Sequence, residues 1–445
     1  ARALGEAGGG FPRHCARPRP VEDARERALA SGDLLGIAPA GDPLAVRLRA
    51  IDAVGERMQE FAAQGLHGGD LVNAVAGFMA THPDYAEAGA SRKDGTAWGL
   101  LRDGVMHVVI ANRDPAPVSA TSMPIPPARK ASGDPELPGV AKAYAMHAFS
   151  EYFEPQQAVT RIRSYLKNRG WHVWEGADGD ASVRSLARVK GAGFFYFNGH
   201  GGPVQNKLPD PTGLDAWIYA AITSELADGR PDAAIDALLK KGPALVIASA
   251  WNGYTLESDG SHLPLTGKFY GFTRHFVSNF MHFESDSVVF INACGSADNG
   301  FIKAFHDAGA GVYLGWVDAV TPEGAAFTSA PYMVDRLVGA NAYPLKESPP
   351  QRPFPLDKVV ADMASKGLKQ DSKSGSALGV YPKAGSTAQP ILAPSIQYVT
   401  VDEWEGLLTL TGDFGSPTPK VTVGGRELNL KQWSNSKIVA ELPSS

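Results

Sequence analysis

Cysteine is nearly absent from this chain: Cys15 and Cys294 are the only two in 445 residues. One bridge at most is possible, so a disulfide framework is excluded and no cysteine-rich metal site can form. Long apolar runs are missing too. The longest, around Gly309–Val317, is far shorter than the ~20 residues that span a bilayer and is punctuated by glycine, so it reads as a buried strand. An excess of positive charge is also lacking. Lys+Arg 42 against Asp+Glu 47 gives a net charge of −5, and the basic residues are scattered, so no electrostatic footprint for nucleic acid is present. The HExxH spacing of a zinc helix does not occur, and His262, His275, His282 and His306 read as scattered histidines. No metal is expected. GxSxG is absent. Gly260–Lys268 has the wrong spacing for a phosphate loop, with Phe269 where Ser or Thr is needed. Gly309-Ala310-Gly311 opens a strand instead of following one, which argues against dinucleotide binding, and no cofactor is expected.

What is present is an ordinary globular composition, 44% hydrophobic and 20% charged. The length allows about two to four domains at roughly 150 residues each. Residues 1–43, rich in Gly, Pro, Arg and Ala, read as a flexible leader, and the start at Ala1 instead of Met reads as a processed or cut terminus. Residues 44–138 form an N-terminal α+β pro- or accessory region. Helical spacing runs from Leu44 through Phe61, a second helix covers Asp70–Ala80, and Asp103-Gly104 marks a hairpin between Trp98–Leu101 and Val105–Ile110. A Pro-rich linker, Asp114–Pro138, ends this region. From 139 to 370, apolar strands alternate with helices. Strands are expected at Ala141–Phe149, Trp171–Trp174, Gly193–Phe197, Ala244–Ala248, Ser287–Ile291 and Gly311–Trp316. Helices are expected from Pro155 to Gly170, at Ser182–Val189, Pro231–Lys241, Phe301–Ala308 and Leu356–Lys366. That alternation predicts an α/β fold, a mostly parallel sheet with helices on both faces. Residues 371–393 read as a linker and 394–445 as an all-β domain.

Two of the predicted strands end in reactive side chains. Gly193–Phe197 runs into Asn198-Gly199-His200-Gly201-Gly202, and Ser287–Ile291 into Asn292-Ala293-Cys294-Gly295. In open α/β sheets, sites lie at the carboxyl ends of strands. A cysteine is a few per cent thiolate near neutral pH, and an imidazole can take its proton and later protonate a leaving amine. Glycines let a substrate backbone approach. The N–H groups of Gly201 and Cys294 suit an oxyanion hole, whose donors are worth roughly 3–4 kcal/mol each. Taken singly, a cysteine after a strand is commonly a small buried hydrophobe and a His-Gly a turn. Their joint placement at two strand ends of one sheet is what points to chemistry. Cys15 reads as a bystander thiol, and Trp251-Asn252-Gly253-Tyr254 as a loop beside the site, either a flap or simply packed.

The two strand-end motifs, with the stretch Ala308–Val320, resemble the caspase–gingipain–legumain group of cysteine peptidases, the gingipain-like type above all, over about Val140–Asn341. The resemblance implies a caspase-like catalytic domain, with Cys294 as nucleophile, His200 as general base and acid, and Gly201 as an oxyanion donor. Members that cut after Arg or Lys often carry Asp two residues before the cysteine; here Asn292 stands there, so a basic P1 preference is not implied. Trp316 and Asp318, after the next strand, are further candidates for the pocket wall. The stretch around Gly412, Phe414, Gly415, Val421, Val423, Gly424 and Pro443 resembles an IPT/TIG immunoglobulin-like domain, and the likeness stops near Ser445, before such a domain usually ends.

These resemblances together imply a secreted, cell-surface or periplasmic bacterial cysteine endopeptidase, acting on protein or peptide substrates through a thioester. No transmembrane segment and no nucleic-acid partner are expected. Two alternatives stay open: a catalytically inactive caspase-like scaffold whose IPT/TIG domain binds a protein or glycan on a surface, and a ligase or transpeptidase using the same acyl-enzyme.

Overall fold

The computed structural model describes residues 43–92, 95–111, 135–150, 158–205, 217–228, 233–240, 244–250, 254–256, 262–264, 267–318, 326–343, 353–372, 374–384, 389–414 and 420–443. Cys15, the leader, the Pro-rich stretch 112–134 and the loop 251–253 lie outside the described residues. The chain divides into two compact units, 1–46 and 47–445. Of the first, the described part is the opening turn of a helix.

That helix, α1 (Pro43–Ala63), is followed by α2 (Gly68–Thr81). Strands β1 (Tyr85–Ser91), β2 (Thr96–Leu101) and β3 (Met106–Ile110) come next. The hairpin expected at Asp103-Gly104 joins β2 to β3, with Gly104 at φ 88°, a conformation that glycine reaches without a Cβ penalty. Then follow β4 (Lys142–His147), α3 (Ala158–Lys167), β5 (His172–Ala177), α4 (Val183–Leu186), β6 (Ala192–Asn198), β7 (His200–Gln205) and β8 (Trp217–Leu226). Next are α5 (Ala233–Lys240), β9 (Leu245–Ala250), β10 (Lys268–Thr273), α6 (Arg274–Phe280), β11 (Phe283–Asn292), α7 (Asn299–Asp307) and β12 (Val312–Trp316). Helices α8 (Ala326–Val338) and α9 (Leu356–Ser365) precede β13 (Leu378–Pro382). The chain ends in β14 (Ser395–Asp402), β15 (Leu407–Asp413), β16 (Leu430–Trp433) and β17 (Lys437–Glu441).

The α/β alternation resolves into two sheets where one was expected. Six strands lie in the order β13-β12-β11-β6-β4-β5. All pairs are parallel except β12 with the edge strand β13. Numbered by their own succession the strands run 2-1-3-4-5-6, so the order reverses between β4 and β6. Right-handed crossovers then put α3 and α7 on opposite faces, with α8 and α9 on the α3 side, where α8 packs on both α3 and α9. The central strand β6 is buried on both faces, Phe194, Phe195, Tyr196 and Phe197 having no exposed surface, as parallel sheets require.

The second sheet has seven strands in the order β1-β2-β3-β9-β10-β8-β7. It is antiparallel apart from β3 beside β9. The strands of 44–138 share this sheet with later ones, because β3 hydrogen-bonds to β9. The predicted strand at Ala244–Ala248 exists but belongs to this mixed sheet and not to the parallel one. The two sheets share a core: Phe197 of β6 meets Phe272 of β10 edge-to-face at 5.2 Å, and Phe272 lies 5.7 Å from Phe301 of α7. The stretch 371–393, expected as a linker, contributes β13 and a short parallel pairing of Gln389–Pro390 with Pro135–Glu136.

The last four strands form a separate antiparallel sheet in the order β14-β15-β17-β16. Its small core consists of Leu408, Leu410, Phe414, Val421, Leu428, Ile438 and Ala440. Among the described residues no helix is long and apolar enough to cross a membrane.

Candidate functional site

Three strand ends lie side by side where the order of the parallel sheet reverses. His147, the last residue of β4, is in register with Asn198 at the end of β6, and Asn198 with Asn292 at the end of β11. The Ala148 N–H donates to Asn198 O at 2.8 Å, and the Gly199 N–H to Asn292 O at 3.3 Å. Such a reversal opens a crevice at the carboxyl ends of the strands, because the connections leave in opposite directions. His200 and Cys294 therefore leave two adjacent parallel strands. The chain behaves differently after each. Beyond Gly199 it continues directly into β7, so His200 is the hinge between the two sheets and pairs with Ile222. Beyond Asn292 it forms a tight turn with Gly295 at φ 64°.

Hydrogen bonds pin that turn from all sides. Tyr219 Oη donates to Cys294 O at 2.9 Å, and the Gly295 N–H to Asp318 O at 3.0 Å. Ser296 is buried; its hydroxyl donates to Ile291 O at 2.8 Å and accepts from the Trp316 N–H at 2.9 Å. Asp298 then caps α7, accepting from the Phe301 N–H at 2.8 Å. Cys294 is half-buried and carries a thiol, not a disulfide.

Gly201 lies against the same turn. A Cβ there would stand 2.6 Å from Tyr219 Cζ and 3.2 Å from Ala293 Cβ. Only glycine lets β7 approach this closely, so the His-Gly segment and the Cys segment are neighbours in space, with the Tyr219 ring wedged between them. Tyr219 sits in β8, a strand the periodicity did not single out although Trp217–Leu226 is rich in apolar and β-branched residues.

His200 is half-buried, with Nε2 shut off from solvent. Burial, which disfavours the charged form, pushes its pKa down to about 4, so the ring is neutral at neutral pH. Its ring centroid is 5.1 Å from that of Phe149, which in turn meets Phe269 edge-on at 4.9 Å. Phe149 has φ 59°. A bulky residue in the left-handed region is strained, and such strain collects at functional sites. No sequence signal marks this residue. Beyond it, the Ser150 N–H donates to Asp178 Oδ1 at 2.7 Å, tying the end of β4 to the end of β5.

The three pocket-wall candidates fare differently. Asn292 is 2% exposed and Trp316 0%. Asn292 Nδ2 donates to Asn198 Oδ1 at 2.8 Å and to Tyr196 Oη at 3.3 Å, while Trp316 Nε1 donates to Asn292 Oδ1 at 2.7 Å. Both side chains are thus an internal strut across β6, β11 and β12, with no face toward solvent. A buried amide takes this role because it both donates and accepts, where a carboxylate only accepts. Asp318 alone is half-buried, its backbone N–H donating to Ser376 Oγ at 3.0 Å.

A second polar cluster lies away from these strand ends. His107, fully buried, links Tyr85 Oη at 2.6 Å to Ser249 Oγ at 2.9 Å. Burial, with a smaller contribution from Lys268, lowers its pKa to about 3. Among the described residues no group of three His, Cys, Asp or Glu side chains is placed to hold a metal ion. No family model matches the chain, and no curated protein is similar to it.

Proposed function

We propose that the chain is a cysteine endopeptidase of the caspase–gingipain–legumain kind, with Cys294 as nucleophile and His200 as general base and acid. The observation that carries this reading is the close approach of the His200-Gly201 and Ala293-Cys294 segments at adjacent parallel strand ends beside the reversal of strand order.

In the proposed reaction, the Cys294 sulfur attacks the peptide carbonyl carbon as its proton passes to His200. The N–H groups of Gly201 and Cys294 receive the charge that develops on the carbonyl oxygen. The C–N bond breaks, the amine leaves with the proton held by His200, and a thioester remains on Cys294. Water, deprotonated by His200, then releases the acid and restores the thiol. A neutral resting imidazole suits the first step. Asp318, whose backbone O accepts from the Gly295 N–H of the cysteine turn and which retains exposed surface, is the proposed reader of a substrate side chain. A secreted or surface-located bacterial setting and an IPT/TIG-like character for 394–445 belong to the same proposal.

The test is Cys294→Ala in the full chain, assayed on a denatured-protein library. Cleavage is expected to vanish while the fold, read by circular dichroism, is kept. Persisting cleavage defeats the reading. The exposed edge strand of the terminal sheet favours a second reading, an inactive scaffold that binds a protein partner. No cleavage by the unsubstituted chain, together with partner binding, would establish it.

A further inference from the structure

We infer that β14 is a docking edge for an extended polypeptide segment of alternating apolar and basic side chains. Among the described residues β14 is an edge strand, paired on one side with β15. An edge presents a row of backbone N–H and C=O groups that another strand can pair with. Residues directly opposite in an antiparallel pair share a face. Val399 faces Leu410 and Val401 faces Leu408, so the two valines prolong the apolar face that forms the core of this domain. Leu408 and Leu410 are each 6% exposed, but Val399 is 58% and Val401 51%. The covered core stops one strand short of the sheet's edge. A further strand laid along β14 would extend the ladder and place its own apolar side chains beside Val399 and Val401.

Charge selects the occupant. The turn after β14 carries Asp402, Glu403 and Glu405 around Trp404, which is 99% exposed. Asp402 Oδ1 accepts from the backbone N–H groups of Trp404 and Glu405 at 3.0 Å. Among the described residues, the ion pairs Lys420–Glu427 and Lys431–Glu441 use other carboxylates. Three carboxylates beside an exposed indole favour Lys or Arg, by ion pairing and by cation–π contact. A second copy of this chain brings a net charge of −5 and is the poorer fit. Docking here is independent of Cys294 and of the proposed hydrolysis.

The experiment uses the full chain and two eight-residue peptides, one alternating Val and Lys, the other Val and Glu, titrated by calorimetry at low and high salt. The Val-Lys peptide is expected to bind at least about tenfold more tightly than the Val-Glu peptide, and to weaken with salt as exposed charges are screened. Val399→Lys/Val401→Lys, a change at exposed positions, is expected to abolish binding with the thermal midpoint unchanged. Trp404→Ala is expected to weaken it severalfold. Equal binding of both peptides, no binding of either, or binding that survives the double substitution overturns the inference. So does a dimer in sedimentation velocity that the double substitution splits, because that assigns the edge to a second copy.

Discussion

Gly201→Ala is the sharpest probe of how the His and Cys segments are joined. Gly201 is not among the left-handed glycines, so alanine meets no backbone strain and the effect is purely one of space. The new methyl would overlap Tyr219 Oη and lie 2.6 Å from Tyr219 Cζ, in a residue only 2% exposed. Tyr219 is held from behind by Phe301, ring centroids 4.9 Å apart, so it cannot retreat without disturbing α7. Overpacking of this kind costs about 1–3 kcal/mol. The displaced hydroxyl also gives up its bond to Cys294 O, worth about 1 kcal/mol. The expected loss is about 2–4 kcal/mol, read from urea unfolding followed by circular dichroism. Tyr219→Phe removes the same hydrogen bond and should cost about 1 kcal/mol. Because both changes delete one bond, the double variant should be more stable than the sum of the singles predicts, by about 1 kcal/mol. Iodoacetamide labelling mapped to Cys294 should change rate in both single variants, since each frees the turn that holds the thiol. Strict additivity, or a Gly201→Ala chain as stable as the parent, would refute the claim that Tyr219 couples the two segments.

Three further outcomes are expected. Asn292→Asp should destabilise by about 1–3 kcal/mol, because the carboxylate cannot donate to Asn198 or Tyr196. It should create no preference for cleavage after Lys or Arg, and a gain of such cleavage in a peptide library would return this position to the pocket wall. His107, His147 and His200 have pKa values lowered by burial to about 3, 4 and 4, so the unfolded chain binds more protons below its ordinary histidine value of about 6.5. Their contribution to stability is therefore whole above about pH 6.5 and is lost as pH falls through the folded values; urea midpoints should drop between pH 6 and 4, less so in His107→Gln, and equal acid sensitivity of that variant would sink the assignment. If His200 is the base, the acid limb of kcat/KM should fall near pH 4 instead of near 6.5, measured on a peptide substrate; a limb at the ordinary histidine value would contradict its burial.

Much of the fold was legible because its signals are local. Aromatic and β-branched runs such as Gly193–Phe197 are strands buried on two faces, and glycine and proline punctuate them. Trp217–Leu226 carries a comparable local signal, with Ile218, Ile222 and Thr223 in the strand. What escaped was the division of the strands between two sheets. β6 and β9 read alike, yet one belongs to the parallel sheet and the other to the mixed one, since periodicity says which face is apolar and never which strand lies beside it. Leu378–Pro382 was hidden for the opposite reason: an edge strand needs less apolar character, and its Gly-rich flanks resemble a linker.

For the site, the amino-acid order alone established that a histidine and a cysteine each follow an apolar strand with glycines beside them. That is chemistry of residue type, and it needs no neighbours. Tertiary structure decided what surrounds them. It set Tyr219 between Gly201 and the cysteine turn, brought the strained Phe149 against the His200 ring, and tied Asn292 and Trp316 into a buried strut. Each of these depends on residues far apart in the chain meeting at strand ends, and contact across such distances is fixed by packing and register, not by local pattern.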